Sequence, residues 1–433
     1  MDLRKVLAGS VMAVLVAGAI APASAGRSEP PRTEFEEGEG AAWTSHEGEL
    51  AFLAAVDEAS DRVEIDTIGR TKQGRPLQLV QLGYPTPAPR TVALRRPTTL
   101  FVCSQHGNEP AGREACLQRL RDLAFTDDPD LIAQLEEQTV LFVPSANPDG
   151  READARGNSD GTDINRDHLN LETPEARAMA GVVRDWQPEA VVDLHEYGPS
   201  LPALYDDEVL VLWPRNLNVD EEVHAQAKQL ALDFITADEE EAGYSTDEYG
   251  QYELADQDVH QSAGDGDEGI ARNTMGLRHS LGILVETRVD GDPRNGPQEL
   301  DEPAVRLRRV AAHTVAIDAT LRFMRERGDE VAGVTAGARK RASKEGRLRN
   351  EPVYFGGADN AEPTEEQTQD PPPCGYGLAK DQLRQVRRTM SLLGIRPRGT
   401  YVPMAQPAEP LIPLLLDERG LRHSVAAKPD TKC

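Results

Sequence analysis

The stretch "FVCSQHGNEPAGREACLQRL", beginning at Phe101, is an apolar run that stops at His106, with Glu109 and Pro110 just beyond. An imidazole and a carboxylate three residues apart are two donors whose separation is set by local backbone. Gly107 lets such a turn bend. Pro110 starts a helix at no cost, because the N–H it lacks is unpaired at the first helical position anyway. A catalytic zinc takes three protein ligands, suitably His nitrogen and carboxylate oxygen, and keeps a fourth position for water. The third ligand must come from a distant segment, and His195 in "VVDLHE" is the best placed of the remaining histidines. Alone, H-x-x-E is a common pattern, and a histidine closing a buried strand is often a core residue. Together, His106, Glu109 and His195 make a candidate metal site.

Two further features supply what such a site lacks. The loop "SANPDGREADARGNSDGTDINRDH" is polar and rich in arginine. Its spacing is close to a calcium loop, but Arg156 would stand at the first ligand position, where a cation is useless. Its arginines fit anions better. Arg166 beside Asn165 offers a fork and an amide to a carboxylate, and Arg156 offers charge to an oxyanion near the metal. The structural alternative is a solvated turn held by Asn and Asp side chains. Glu286 closes the apolar run "LGILVE". An unpaired carboxylate is costly to bury, so it is either the general base for a metal-activated water or the partner of Arg288 or Arg278.

These residues need rigid supports. "TTLFVCSQ", "TVLFVPSANP", "EAVVDLHEYG" and "LGILVETR" read as buried strands. Helices are expected from Pro110 to about Ala124, Glu172 to Trp186, Asp220 to Phe234 and Pro303 to Arg325. A helix is also expected to start at Thr44 or Ser45, ahead of paired strands around a Lys72-Gln73-Gly74 turn. Apolar strands alternating with amphipathic helices predict an α/β domain with a mostly parallel or mixed sheet. In such sheets ligands bind beyond the carboxyl ends of the strands, where His106, Asn147, His195 and Glu286 all fall.

The 433-residue chain carries a net charge of −27 and is 39% hydrophobic. An acidic surface argues against nucleic acid as a partner, since phosphate binding needs clustered cations. Residues 1–25 read as a secretory signal: Arg4 and Lys5, an apolar stretch, then Ala23-Ser24-Ala25. The protein is therefore expected to be exported and extracellular, with no stable membrane insertion once the signal is removed. Residues 26–44 are expected to be a flexible acidic leader, 45–330 the catalytic domain, 331–375 a linker or irregular arm, and 376–433 a small C-terminal unit. Four cysteines in an exported chain allow three pairings. Cys103–Cys116 and Cys374–Cys433 are the preferred pair.

In this order, "HGNE", "NPDG", "RGNSDGTDINRD", "DLHE" and "LVETR" resemble the motifs of the zinc metallocarboxypeptidases related to carboxypeptidases A and B. The resemblance covers about Ser45 to Arg325. It implies a mixed eight-stranded sheet between helices and one Zn2+ on His106, Glu109 and His195. Arg156 would polarise the scissile carbonyl, and Asn165 and Arg166 would hold the free C-terminus of a peptide or protein. Glu286 would be the base and later the proton donor. The chain departs from the family where a substrate-capping tyrosine is usual. Tyr249 and Tyr252 lie far upstream of Glu286, and Arg272 and Arg278 stand in the expected region as polar substitutes. Two other readings fit the motifs: a zinc deacylase of N-acyl amino acids, and a non-catalytic secreted binding protein on the same fold.

Overall fold

A computed structural model describes residues 29–198, 207–255, 258–263, 265–290 and 302–432. The central sheet is built from β1 (Val63–Arg70), β2 (Pro76–Leu82), β3 (Thr98–Cys103), β4 (Thr139–Val143), β5 (Ala190–Tyr197), β6 (Val209–Leu212) and β7 (Thr246–Glu248). A separate hairpin, β8 (Gly250–Ala255) and β9 (Asp258–Ala263), follows, and β10 (Leu281–Arg288) then returns to the sheet. The order is β1-β2-β4-β3-β5-β10-β6-β7, eight strands in all. Strands β4, β3, β5 and β10 run parallel, while β1–β2, β2–β4 and β10–β6 are antiparallel. The expected mixed eight-stranded sheet is present.

Side chains alternate across a strand, and the alternation divides the core. Phe101, Cys103, Val140, Phe142, Val192 and Leu194 face one side, with the helices Ala111–Phe125 and Pro303–Leu348 packed over them. Leu100, Val102, Leu141, Val143 and Val191 face the other, against the helix Pro174–Trp186. Tyr376, Val402, Leu414 and Leu415 from the C-terminal residues belong to this second core. Those residues therefore share the core of the sheet. The disulfide Cys103–Cys116 ties β3 to the helix behind it, as preferred from the sequence. The other preferred pair ends on Cys433, outside the described residues.

Two expectations are corrected. The helix expected to end at Arg325 continues to Leu348, through the first part of the expected arm. Its basic surface hides a buried stripe of Val331, Thr335, Ala338, Ala342 and Gly346. Their spacing of three and four is that of one helix face, but the residues are small enough to read as a linker. The leader is also not loose from residue 29 onward. Thr33 caps a short helix, Glu34–Glu37. Phe35 is fully buried and stacks on Trp43 with centroids 5.0 Å apart. Arg121 pairs with Glu36 at 2.7 Å. One aromatic pair among the acids is enough to dock the segment.

Candidate active site

Beyond the carboxyl end of β3, the chain turns through Ser104 and Gln105 to His106. Gly107 is required there by close approach: a Cβ would come within 1.9 Å of the Gly150 carbonyl carbon. The turn continues to Glu109, whose N–H donates to the His106 carbonyl at 3.2 Å just before the helix Ala111–Phe125, and His195 arrives from the neighbouring strand β5. His106 Nδ1 lies 2.8 Å from Glu109 Oε1, His195 Nδ1 lies 2.9 Å from Glu109 Oε2, and the two Nδ1 atoms are 3.0 Å apart. One donor atom from each of the three residues falls within a 4.8 Å cluster.

The opposite edge of each imidazole is held by a carboxylate. Asp163 Oδ1 is 3.0 Å from His106 Nε2, and Asp193 Oδ2 is 2.7 Å from His195 Nε2. A proton on each Nε2 leaves both Nδ1 lone pairs facing Glu109. Asp193 is held in turn by Gln105 Nε2 at 2.6 Å, and Gln105 Oε1 lies 2.7 Å from His168 Nε2. Burial works to lower both histidines, but the facing carboxylates outweigh it and raise them. Two nitrogens and a carboxylate in a pocket that favours positive charge fit a zinc ion. Asp163 and Asp193 were not anticipated as partners. For Asp193 a signal existed, since D-x-H on a strand puts both side chains on one face.

Glu286 is the register partner of His195 across the parallel pair β5–β10. Burial pushes its carboxyl up to about 7. Glu109 adds to this, while His195, His106 and Arg156 oppose it. Arg156 lies along the outer edge of the ligands, with Nη1 3.3 Å from Glu109 Oε1 and Nη2 3.0 Å from Asp163 Oδ2. Its side chain is half exposed. Asn165 is brought against the metal residues: its Nδ2 is 3.2 Å from His195 Nε2, and its Oδ1 accepts the Ala271 N–H at 2.8 Å. Arg166 spends one N–H on the Asn165 carbonyl at 2.8 Å.

A cleft of about 810 Å3 opens over Glu109, Arg156 and Glu286, and Tyr249 also lines it. Tyr249 thus reaches the cleft despite its sequence distance from Glu286: it follows β7, which lies two places from β10 in the sheet. The side chain of Tyr252 lies outside what is described. The expected Arg278 is elsewhere. It bonds the carbonyls of Ala180 and Leu392 at 3.3 and 3.1 Å, on the face covered by the C-terminal residues.

A family model described as zinc carboxypeptidase matches residues 50–309. The chain belongs to the zinc carboxypeptidase family. Carboxypeptidase 2 of Trichophyton rubrum is 28% identical over 273 residues, covering 61% of this chain and 48% of that protein. Carboxypeptidase E of Caenorhabditis elegans is 30% identical over 152 residues, covering 31% of this chain and 32% of that one. The chain thus spans half or less of the length of these relatives. Among solved structures, a metallo-carboxypeptidase from Burkholderia cenocepacia aligns with a TM-score of 0.50 at 21% identity, covering 64% of this chain and 68% of that one. The carboxypeptidase A of Helicoverpa armigera also aligns at 0.50, with 13% identity, covering 66% and 74%. At these identities the structures share the fold. No helix among the described residues is long and apolar enough to cross a membrane.

Proposed function

We propose that this protein is an exported metallocarboxypeptidase that hydrolyses the last peptide bond of peptides or proteins bearing a free C-terminus. The observation that carries the reading is the placement of Glu286 beside His195 at the carboxyl ends of two parallel strands, with Arg156 on the same cleft. His106, Glu109 and His195 would hold one zinc ion, which supplies Lewis acidity and lowers the pKa of a water towards about 7. Glu286 takes the proton from the attacking water, a role suited by a carboxyl raised towards neutrality. Arg156 donates to the carbonyl oxygen as charge develops on it. Arg166, with Asn165, holds the terminal carboxylate, which restricts attack to the last bond. Glu286 then passes its proton to the leaving amine. Export rests on the basic–apolar–A-x-A order of residues 1–25.

The test is an N-blocked dipeptide offered with a free or an amidated C-terminus, before and after chelation. Cleavage of the free acid alone, abolished by chelation and restored by zinc, is expected. Equal turnover of acid and amide would overturn the carboxypeptidase reading in favour of a deacylase. No turnover of either, in protein that holds zinc, would favour a binding protein.

A further inference from the structure

Buried arginines in this protein have carboxylate partners. Arg113 reaches Glu49 and Glu114, Arg215 reaches Asp359 and Glu248, and Arg309 reaches Glu196. Arg272 is different. It is 3% exposed, and among the described residues it makes no ion pair. Its Nη2 donates to the Asp265 carbonyl at 3.2 Å, and its Nε is buried with no partner. An arginine carries five N–H donors, and a buried charge left without a counter-ion is costly. A fold that keeps such a group gains from it when an anion arrives.

The position of Arg272 says which anion. It follows Ala271, whose N–H is tied to the Asn165 side chain. Its backbone is pressed against β10, where a Cβ at Gly282 would come within 2.2 Å of the Arg272 carbonyl oxygen. Burial lowers the Arg272 pKa. Asp265 and the cleft-lining Tyr249 pull it back up, while Arg166 and Arg215 push it further down. The segments that carry Arg166 and Arg272 are adjacent: a Cβ at Gly269 would come within 2.6 Å of the Arg166 carbonyl oxygen, and the Ala271 N–H is bound by Asn165. Two nearby acids are engaged by Arg422. Asp267 Oδ2 is 2.5 Å from Arg422 Nη2, and Glu268 Oε1 accepts the Arg422 N–H at 2.9 Å. Asp265 is exposed; its charge acts on Arg272, but it gives Arg272 a hydrogen bond only from its backbone carbonyl and forms no ion pair with it. In a chain of net charge −27, Arg272 is thus a buried cation without a carboxylate in hydrogen-bond contact among the described residues.

We propose that Arg272 is a specificity-determining residue that receives a second carboxylate, the side chain of a C-terminal glutamate or aspartate, while Arg166 receives the terminal carboxylate. The proposal rests on the carboxypeptidase reading above. A guanidinium fork matches a carboxylate with two parallel hydrogen bonds, which a glutamine or leucine side chain does not return. The preferred substrates would then be acidic peptide tails, and C-terminal lysine or arginine would be rejected by like charge.

The experiment compares N-benzoylglycyl dipeptides ending in Glu, Gln, Leu and Lys on the zinc-loaded full chain. The expected order has Glu above Gln by about 10- to 100-fold in kcat/KM, a range suited to a charge-assisted pair, with Lys last. R272Q should shrink the Glu-to-Gln ratio to near one, mostly through KM, and R272K should restore part of it. A merely structural role would lower both peptides alike and leave their ratio intact, which would overturn the proposal. So would a wild-type preference for Leu or Lys, with no variant needed. If no peptide with a free C-terminus is cut, the carboxypeptidase reading fails by itself. Thermal stabilisation of the wild type by N-acetylglutamate against N-acetylglutamine then decides for or against Arg272 as an anion site.

Discussion

Glu286 and His195 are paired in register on adjacent parallel strands, β10 and β5. Residues paired in this way project from the same face of the sheet. The proposed base and a proposed metal ligand are thus held by two paired strands, not by a loop. Replacing Glu286 with Gln keeps the shape and removes the proton acceptor. E286Q should retain one zinc per chain by elemental analysis and lose about 10²- to 10⁴-fold in kcat, the range for a general base. Wild-type turnover in E286Q would refute the role.

As the proposed base, the same carboxylate predicts an acid limit on activity. Burial pushes Glu286 up to about 7, and the base works only when deprotonated. Activity is therefore present above this pKa and lost as pH falls through it. A bound dication would pull in the same direction as His195 and His106, so the limb should lie at or below about 7. A kcat/KM profile for a peptide of fixed charge measures it. A profile that is flat down to pH 4 would disagree.

Asp193 touches no substrate, yet it faces the outer nitrogen of His195 at 2.7 Å and is braced by Gln105 at 2.6 Å. Asp193→Asn keeps the size of the side chain and removes its charge. Loss of such an outer partner typically weakens metal binding by 10- to 100-fold. Competition with a chromophoric chelator should show that loss in D193N, at unchanged thermal unfolding of the metal-loaded protein. Equal zinc affinity in the two proteins would reduce Asp193 to a packing role.

Residue type and strand ends made His106, Glu109, His195 and Glu286 legible, because each polar group interrupts an apolar run where a buried charge needs a reason. The outer partners were harder. Asp163 reaches His106 only because its loop folds back over the metal residues, a fact of tertiary structure with no local period. Tyr249 lies far from Glu286 in sequence, but β7, which it follows, joins the sheet two places from β10, and its side chain lines the cleft. Strands β6 and β7 are too short to stand out beside the stronger runs, and the Ala- and Gly-lined half of the long helix reads as an arm. Small residues bury little area each, so their periodicity is faint even where they pack closely.

His279 gives a stability prediction away from the chemistry. It is 3% exposed, and its Nε2 donates to the Pro407 carbonyl at 2.7 Å, joining the segment before β10 to the C-terminal residues. Burial pushes its pKa down to about 4 from 6.5, with Arg339 and Arg341 adding to this and the Pro407 hydrogen bond and Asp220 opposing. The fold therefore prefers the neutral ring. Its stabilisation is complete above about pH 6.5, where the unfolded chain is also neutral, and is lost as pH falls towards 4. At about 1.36 kcal/mol per pH unit, that difference is ~3 kcal/mol. Other buried groups titrate in the same window, so the wild type must be read against H279Q. Urea unfolding at pH 7 and pH 4 should show the wild type losing about 3 kcal/mol relative to H279Q. Parallel pH dependence in the two proteins would mean that His279 is protonated in the folded state.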